Sequence, residues 1–427
     1  MAAATASTFW TRMRISETER LGALEAIRSR YGGYCVQEHE EQGLCSYTLL
    51  LTPVRTSPLL SSREQRIASP CPPLSRRHND ADSRVGQLVV QLRGPAHLLD
   101  LDLAETACRI YHPLAPRIRL VDNIPLLGGL VAYEMNCVEG TPLSRVLQRR
   151  WETVRDEQWE SSMEEEEKMI VLVRSFAHML AKPWPPQSSP RRRRDSVIQP
   201  HPPPPPHKNT DMLSLCTGKV GSQIAPKLSK LAQQLPDSWL RARAQSTLDQ
   251  VRKVAVREWP VVLTHGDLIP SNILVDCKSG AVSGLVDWAE AEELPFGMGL
   301  YGIEEVLGCL EQVPVPVSEA EAEAEAGVMD GREREKGIWR FVYADGADRY
   351  RTLFLRRLLE LVPQTRGREE VLWAMRDLGV LLWHGFAWDG GKIDRVVNEV
   401  DDGEELAKLR AMLVVRLDIR DNGSGNE

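Results

Sequence analysis

Read from the N-terminus, the chain places Ser16 three residues before Glu19, the spacing of a helix capping box. Leu21, Leu24, Ile27 and Tyr31 follow at intervals of three or four, which predicts a helix with one apolar face. Apolar runs at 47–52, 87–92 and 130–135 have the length and composition of strands, and between the last two Leu98, Leu101, Glu105 and Cys108 fall on one helical face. The first third is therefore expected to be strand-rich with an embedded helix. Beyond it the pattern turns helical: Ile170, Val173, Phe176 and Leu180, and later Val371, Met375, Leu378 and Leu382, recur at helical spacing. One cluster of short strands interrupts these helices, with runs at 260–263, 273–275 and 282–286, the last two joined through DCKSG as a hairpin.

Three stretches break the periodicity. Residues 55–84 are rich in Ser, Pro and Arg; 183–210 contain five consecutive prolines and an Arg tetrad that reads as a solvating linker; 315–337 enclose a Glu-Ala alternation. They read as surface insertions into a two-part chain, an N-lobe over 1–136 and a helical C-lobe over 137–427. At roughly 100 to 200 residues per domain, 427 residues are ample for both.

Composition narrows the function classes. Lys+Arg 53 against Asp+Glu 60 gives a net charge of −7, so no global positive field exists to hold a nucleic acid. No apolar run approaches the roughly 18 residues a membrane span needs. The N-terminus has no signal-type apolar core; its two Arg and lack of acid leave a transit-peptide reading open beside the favoured cytosol. Eight Cys, none closer than ten positions to the next, read as reduced core thiols.

The most specific segment is LTHGDLIPSNILVD, with His265, Asp267 and Asn272 on a loop feeding the hairpin and Asp287 at the end of its second strand. In an antiparallel hairpin turning near Lys278, the start of one strand lies beside the end of the other, so Asn272 and Asp287 are expected at the same open end. An amide oxygen with carboxylates suits a hard cation such as Mg²⁺ that also carries phosphate oxygens. A carboxylate not taken by the metal can accept the proton of an attacking hydroxyl, which is the role expected of Asp267. His265 is expected to hold the loop through backbone carbonyls.

The motif HGDLIPSNILVD followed by GLVDWAEA resembles the aminoglycoside phosphotransferase and choline kinase family, which has the protein kinase fold. VAYEMNCVEGTPLSRVL resembles that family's hinge. QGLCSYTLLL and the C-terminal LGVLLWHGFAWDGGKIDRVV resemble segments of its fungal members. The resemblance implies a bilobal α+β protein-kinase-like fold and transfer of the ATP γ-phosphate to a small-molecule hydroxyl. It makes Asp267 the catalytic base, Asn272 and Asp287 the Mg²⁺ ligands, and places adenine against the backbone from Glu134 to Cys137. It also puts Gly43, Ser46 and Thr48 in a phosphate-covering loop, for which an ordinary turn is the alternative. Glu105 takes the position of the glutamate that pairs with a strand lysine. No Lys occurs between Tyr31 and Met135, and the basic residue in its place is Arg93. Arg93 and the single-glycine loop keep a second reading in view, a pseudokinase that binds nucleotide or a partner without chemistry.

From Ser279 to Gly331 there is no Lys or Arg but there are twelve acids. The stretch reads either as a negative field for a cationic acceptor, such as an aminocyclitol or amino alcohol, or as a solvated face. His384, between Trp383 and Phe386, is expected inside the helical lobe.

Overall fold

The computed structural model describes residues 6–40, 42–43, 45–54, 86–126, 128–155, 163–185, 212–255, 258–314, 337–389 and 392–415. The insertions expected at 55–84, 183–210 and 315–337 lie almost wholly outside the described residues. The chain divides into two compact units: a smaller one from the described residues up to 139 together with Leu285–Ala289, and a larger one from the remainder.

The smaller unit is built on β1 (Tyr34–Glu38), β2 (Ser46–Pro53), β3 (Leu88–Arg93), β4 (Ile118–Leu120) and β5 (Val131–Asn136). They form one antiparallel sheet in the order β1-β2-β3-β5-β4. Side chains alternate across it. One face carries Tyr47, Leu49, Leu51, Val90, Leu92 and Ala132 into a core closed by Phe9 and Trp10 of α1 (Ala6–Arg12) and Leu24 and Ile27 of α2 (Glu17–Arg30). The other face holds Tyr133 and Met135 against Leu99 at one end.

The predicted capping box is present: Glu19 N–H donates to Ser16 Oγ at 3.3 Å and Ser16 N–H donates to Glu19 Oε2 at 2.8 Å. The apolar face of α2 is Ala23, Leu24 and Ile27, whereas Leu21 is exposed. Helix α3 (Leu101–Tyr111) starts later than its apolar spacing indicated because Asp100 caps it, its side chain accepting from Leu103 N–H at 3.0 Å. Ala104, Ala107 and Tyr111 form its buried face, leaving Leu98 and Glu105 exposed.

In the larger unit, β6 (Thr141–Pro142) leads into α4 (Leu143–Arg155), followed by α5 (Met163–Ala181), the short α6 (Gly218–Gly221), α7 (Ile224–Gln234) and α8 (Ser238–Lys253). Then come β7 (Val261–Thr264), the hairpin β8 (Ile273–Val275) and β9 (Val282–Leu285), β10 (Glu292–Pro295) and α9 (Gly302–Leu307). The strand pair β11 (Gly308–Pro314) and β12 (Gly337–Tyr343) precedes α10 (Ala347–Leu361), α11 (Glu369–His384) and α12 (Gly403–Val414).

The hairpin turns where expected, with Asp276 N–H donating to Ala281 O and Asp276 Oδ1 accepting from Lys278 N–H. The strand cluster is not one sheet, however. β8 joins β6 and β9, while β7 pairs with β10, which lies far along the chain and was not apparent from local pattern. None of the seven described cysteines forms a disulfide, but only Cys216 is buried, which corrects the expectation of core positions.

Candidate active site

β7 delivers the chain into His265–Gly266–Asp267 under tight constraint. Gly266 has φ +78° and a Cβ there would stand 1.8 Å from Glu290 O, so no other residue fits this close backbone crossing. His265 is 2% exposed, and its Nδ1 accepts the Asp267 N–H at 3.3 Å. A nitrogen that accepts carries no proton, so at Nδ1 the ring holds the loop by accepting an amide proton.

A single 3₁₀ turn over Pro270–Asn272 then brings Asn272 back onto the loop. Its Nδ2 donates to Asp267 O at 3.0 Å and to Asp267 Oδ2 at 2.9 Å. Its Oδ1 accepts nothing among the described residues. The buried Tyr301 takes part from below, its hydroxyl accepting Leu268 N–H at 2.8 Å. Tyr301 carried no signal in the sequence, where it is one aromatic within an apolar run.

The smaller unit gathers a second set. Arg93 is 2% exposed and donates through Nη2 to Asp287 Oδ1 at 2.9 Å. Asp287 sits at φ +61°, a left-handed conformation that Asp tolerates better than most residues but at a cost. Its Oδ2 accepts nothing among the described residues. Gln91 was not anticipated: its Oε1 accepts from Arg93 Nε at 3.2 Å and Nη2 at 3.0 Å, and its Nε2 donates to Thr48 Oγ1 at 3.4 Å. Ser46 lies opposite Arg93 in the sheet register, and Gly43 sits close enough to Ser46 that a Cβ would touch its Oγ at 2.8 Å. The buried Gln42 closes this turn, accepting Thr48 N–H at 2.7 Å and donating to His39 O and Thr48 O.

One expected residue is placed differently, and two more have partners within the smaller unit. Glu105 is exposed on α3, so the acid that meets Arg93 is Asp287 and not Glu105. The Glu134 carboxylate is committed within the sheet, accepting Tyr31 Oη–H at 2.6 Å and Arg119 Nε–H at 2.7 Å. The Cys137 N–H donates to Gln87 O at 3.1 Å, and burial followed by nearby Glu139 pushes its thiol pKa up.

The acidic stretch after Ser279 is largely compensated where it is described. Glu292 accepts three consecutive amides, Lys219, Val220 and Gly221 N–H, at 2.6 to 3.1 Å. Gly218, φ +92°, makes room for that carboxylate. Glu290 meets Lys219, Glu304 meets Arg351 and Arg376, and Glu305 meets Lys408 and His384. Carboxylates held this way project little field outward, so these four add little to a negative surface. Among the described residues no group of three or more His, Cys, Asp or Glu side chains is arranged to hold a metal.

The model of the phosphotransferase enzyme family, APH, matches residues 208–294, which include His265, Asp267, Asn272 and Asp287. The match makes this segment of the chain similar to that family. No curated protein matches it. Among solved structures, a thermostable mutant of aminoglycoside phosphotransferase APH(4)-Ia in ternary complex with AMP-PNP and hygromycin B is 13% identical, covering 94% of this chain and 98% of that one, at TM-score 0.42. Aminoglycoside-3'-phosphotransferase of type VIII is 14% identical over 84% of this chain and 99% of its own, at TM-score 0.39. Macrolide 2'-phosphotransferase MphH from Brachybacterium faecium is 16% identical over 85% and 97%, at TM-score 0.35. At such scores no residue-by-residue correspondence follows. The smaller strand-rich lobe and larger helical lobe agree with the kinase-like fold of phosphotransferases. No helix among the described residues is long and apolar enough to cross a membrane.

Proposed function

We propose that this phosphotransferase-like chain is an ATP- and Mg²⁺-dependent small-molecule kinase of the fungal type, acting in the cytosol on a hydroxyl of a small acceptor. The observation that carries the reading is the double hydrogen bond from Asn272 Nδ2 to Asp267, which fixes the carboxylate and leaves the Asn272 amide oxygen without a donor among the described residues. Asp267 accepts the acceptor's hydroxyl proton and orients its oxygen for attack on the γ-phosphorus. His265 and Tyr301 hold the loop through the Asp267 and Leu268 amides. Asn272 Oδ1 and Asp287 Oδ2, an amide and a carboxylate oxygen, are of the kind that fits Mg²⁺. Bound there, the ion would neutralise the nucleotide's phosphate oxygens. Arg93 supplies a fixed positive charge to the phosphates, with Ser46 and Thr48 as hydroxyl donors on the same sheet face.

Asp267→Asn keeps an acceptor for Asn272 Nδ2 while removing the base. Phosphate transfer across a panel of aminoglycosides, amino alcohols and other hydroxyl metabolites is expected to fall by about 10²-fold or more in this variant. Equal turnover by both proteins removes Asp267 from the mechanism. A second reading, a pseudokinase that binds nucleotide without transfer, draws on the ion pair that already engages Asp287 with Arg93. ATP binding with no transfer to any acceptor in the panel decides for it.

A further inference from the structure

Residues two apart on a strand share a face, and cross-strand partners share it too. Gln91 and Arg93 of β3 and their register partners Thr48 and Ser46 of β2 therefore line one side of the sheet, while Val90, Leu92, Tyr47 and Leu49 between them enter the core on the other. On that polar side lies a charge with an incomplete shell. Arg93 is 2% exposed, yet its protein acceptors are one oxygen of Asp287 and one amide oxygen of Gln91, and Nη1 donates to neither. Nη1 is not one of the buried atoms left without a partner, so it reaches solvent, where an anion can take the place of water on it.

The planarity of the side chain makes its orientation decisive. A lysine ammonium is a point charge that tolerates rotation, whereas a guanidinium presents its donors in one plane. Gln91 Oε1 accepts from both Nε and Nη2, which fixes that plane by two bonds to a single atom. Gln91 is itself held by Thr48 Oγ1. We propose that Gln91 is the positioning residue that aims the Arg93 guanidinium at a phosphate oxygen of the nucleotide, and so allows an arginine to serve where kinase-like proteins use a lysine. The proposal rests on the nucleotide-binding part of the reading above and names what that reading leaves open, how the substituted base is oriented.

The test is ATP affinity by calorimetry, with and without Mg²⁺, for wild type, Gln91→Met, Arg93→Met and the double variant. Gln91→Met conserves length and shape, so its melting temperature should match the wild type. Its ATP affinity should fall about tenfold, the scale of a charge-assisted hydrogen bond lost from a binding group. In the Arg93→Met background the same change should alter affinity less than about twofold, because no guanidinium remains to be aimed. Wild-type-like affinity in Gln91→Met, or an equal loss in both backgrounds, overturns the proposal while leaving nucleotide binding intact. No ATP binding by the wild type retires the nucleotide reading and this inference together.

A ligand-free measurement is independent of both affinity and fold loss in the Met variant. The Arg93 Nε–H resonance, assigned by its absence in Arg93→Met, should exchange slowly with solvent in wild type and in Gln91→Glu, which retains the acceptor. Rapid exchange in either of those proteins overturns the proposal.

Discussion

Asn272 makes two bonds with one nitrogen, to the main-chain and side-chain oxygens of Asp267, and each is replaceable only by water or by another amide. Asn272→Ala removes both and also the proposed metal-facing oxygen. Its expected cost is about 1 to 3 kcal/mol in stability, the range for leaving part-buried acceptors unmade, together with loss of Mg²⁺-dependent transfer. Thermal melts and transfer assays over a Mg²⁺ titration check both; a variant that transfers phosphate at wild-type Mg²⁺ dependence removes Asn272 from the metal site. At this scale the sequence was informative about which residue types stand on the loop, because a two- and five-residue spacing on a short connection leaves few ways to arrange them. It was uninformative about Glu292 and Tyr301, whose partners are 71 to 73 and 33 residues distant, and about Gln91 and Gln42, whose partners include Thr48 at 43 and 6 residues. Gln42 meets Thr48 only because a turn doubles the chain back.

Helices α9, α11 and α12 meet at a charged clamp that the local pattern could not reveal. His384, 1% exposed, lies between Glu305 at 3.3 Å and Glu405 at 2.5 Å, with Lys408 Nζ at 2.9 Å from Glu305 and the edge-on ring of Tyr301 completing its surroundings. Burial alone would lower its pKa; the hydrogen bonds to Glu305 and Glu405 outweigh that and raise it. For Glu305 burial pushes upward, but the His384 hydrogen bond and the Lys408 charge bring it down to about 2. The signs are opposite. A raised histidine contributes stability that is full below its ordinary value and is lost as pH climbs through the folded one; a depressed carboxyl contributes stability that is full above its ordinary range and is lost on acidification toward about 2. Stability from this clamp should therefore be greatest in mildly acidic solution, and His384→Gln should flatten the decline on the alkaline side. Denaturant midpoints from pH 5 to 9 measure it; an equal alkaline decline in wild type and variant assigns the effect elsewhere. Tyr301, stacked on Trp383 at 5.7 Å, connects this clamp to the Leu268 amide, so the same helix packing also supports the loop.

For the whole chain, a ligand that binds only the folded state stabilises it by about 2.7 kcal/mol at one hundred times its dissociation constant. ATP with Mg²⁺ should raise the melting temperature of the wild type and, nearly equally, of Asp267→Asn, since the proposed base is not a proposed nucleotide ligand. A rise abolished by Asp267→Asn would show that this carboxylate contributes to nucleotide affinity instead. The same experiment with Asp287→Asn should show a reduced rise that no longer depends on Mg²⁺. Together the three proteins separate nucleotide binding, metal binding and transfer, which a single activity measurement merges.

The apolar runs at 47–52 and 87–92 are local, so they determined both strands, while the register that sets Ser46, Thr48, Gln91 and Arg93 on one face came from the pairing of β2 with β3. The capping box at Ser16 and the hairpin turn at 276–281 are likewise closed by neighbours in sequence. The pairing of β7 with β10, the burial of Arg93 against Asp287 and the compensation of Glu292, Glu304 and Glu305 were decided only by the tertiary structure. The reason is physical: periodicity tells which side of an element avoids water, but the energy of a buried charge depends on which distant donors or acceptors reach it. That is a property of the packed chain and of no single segment.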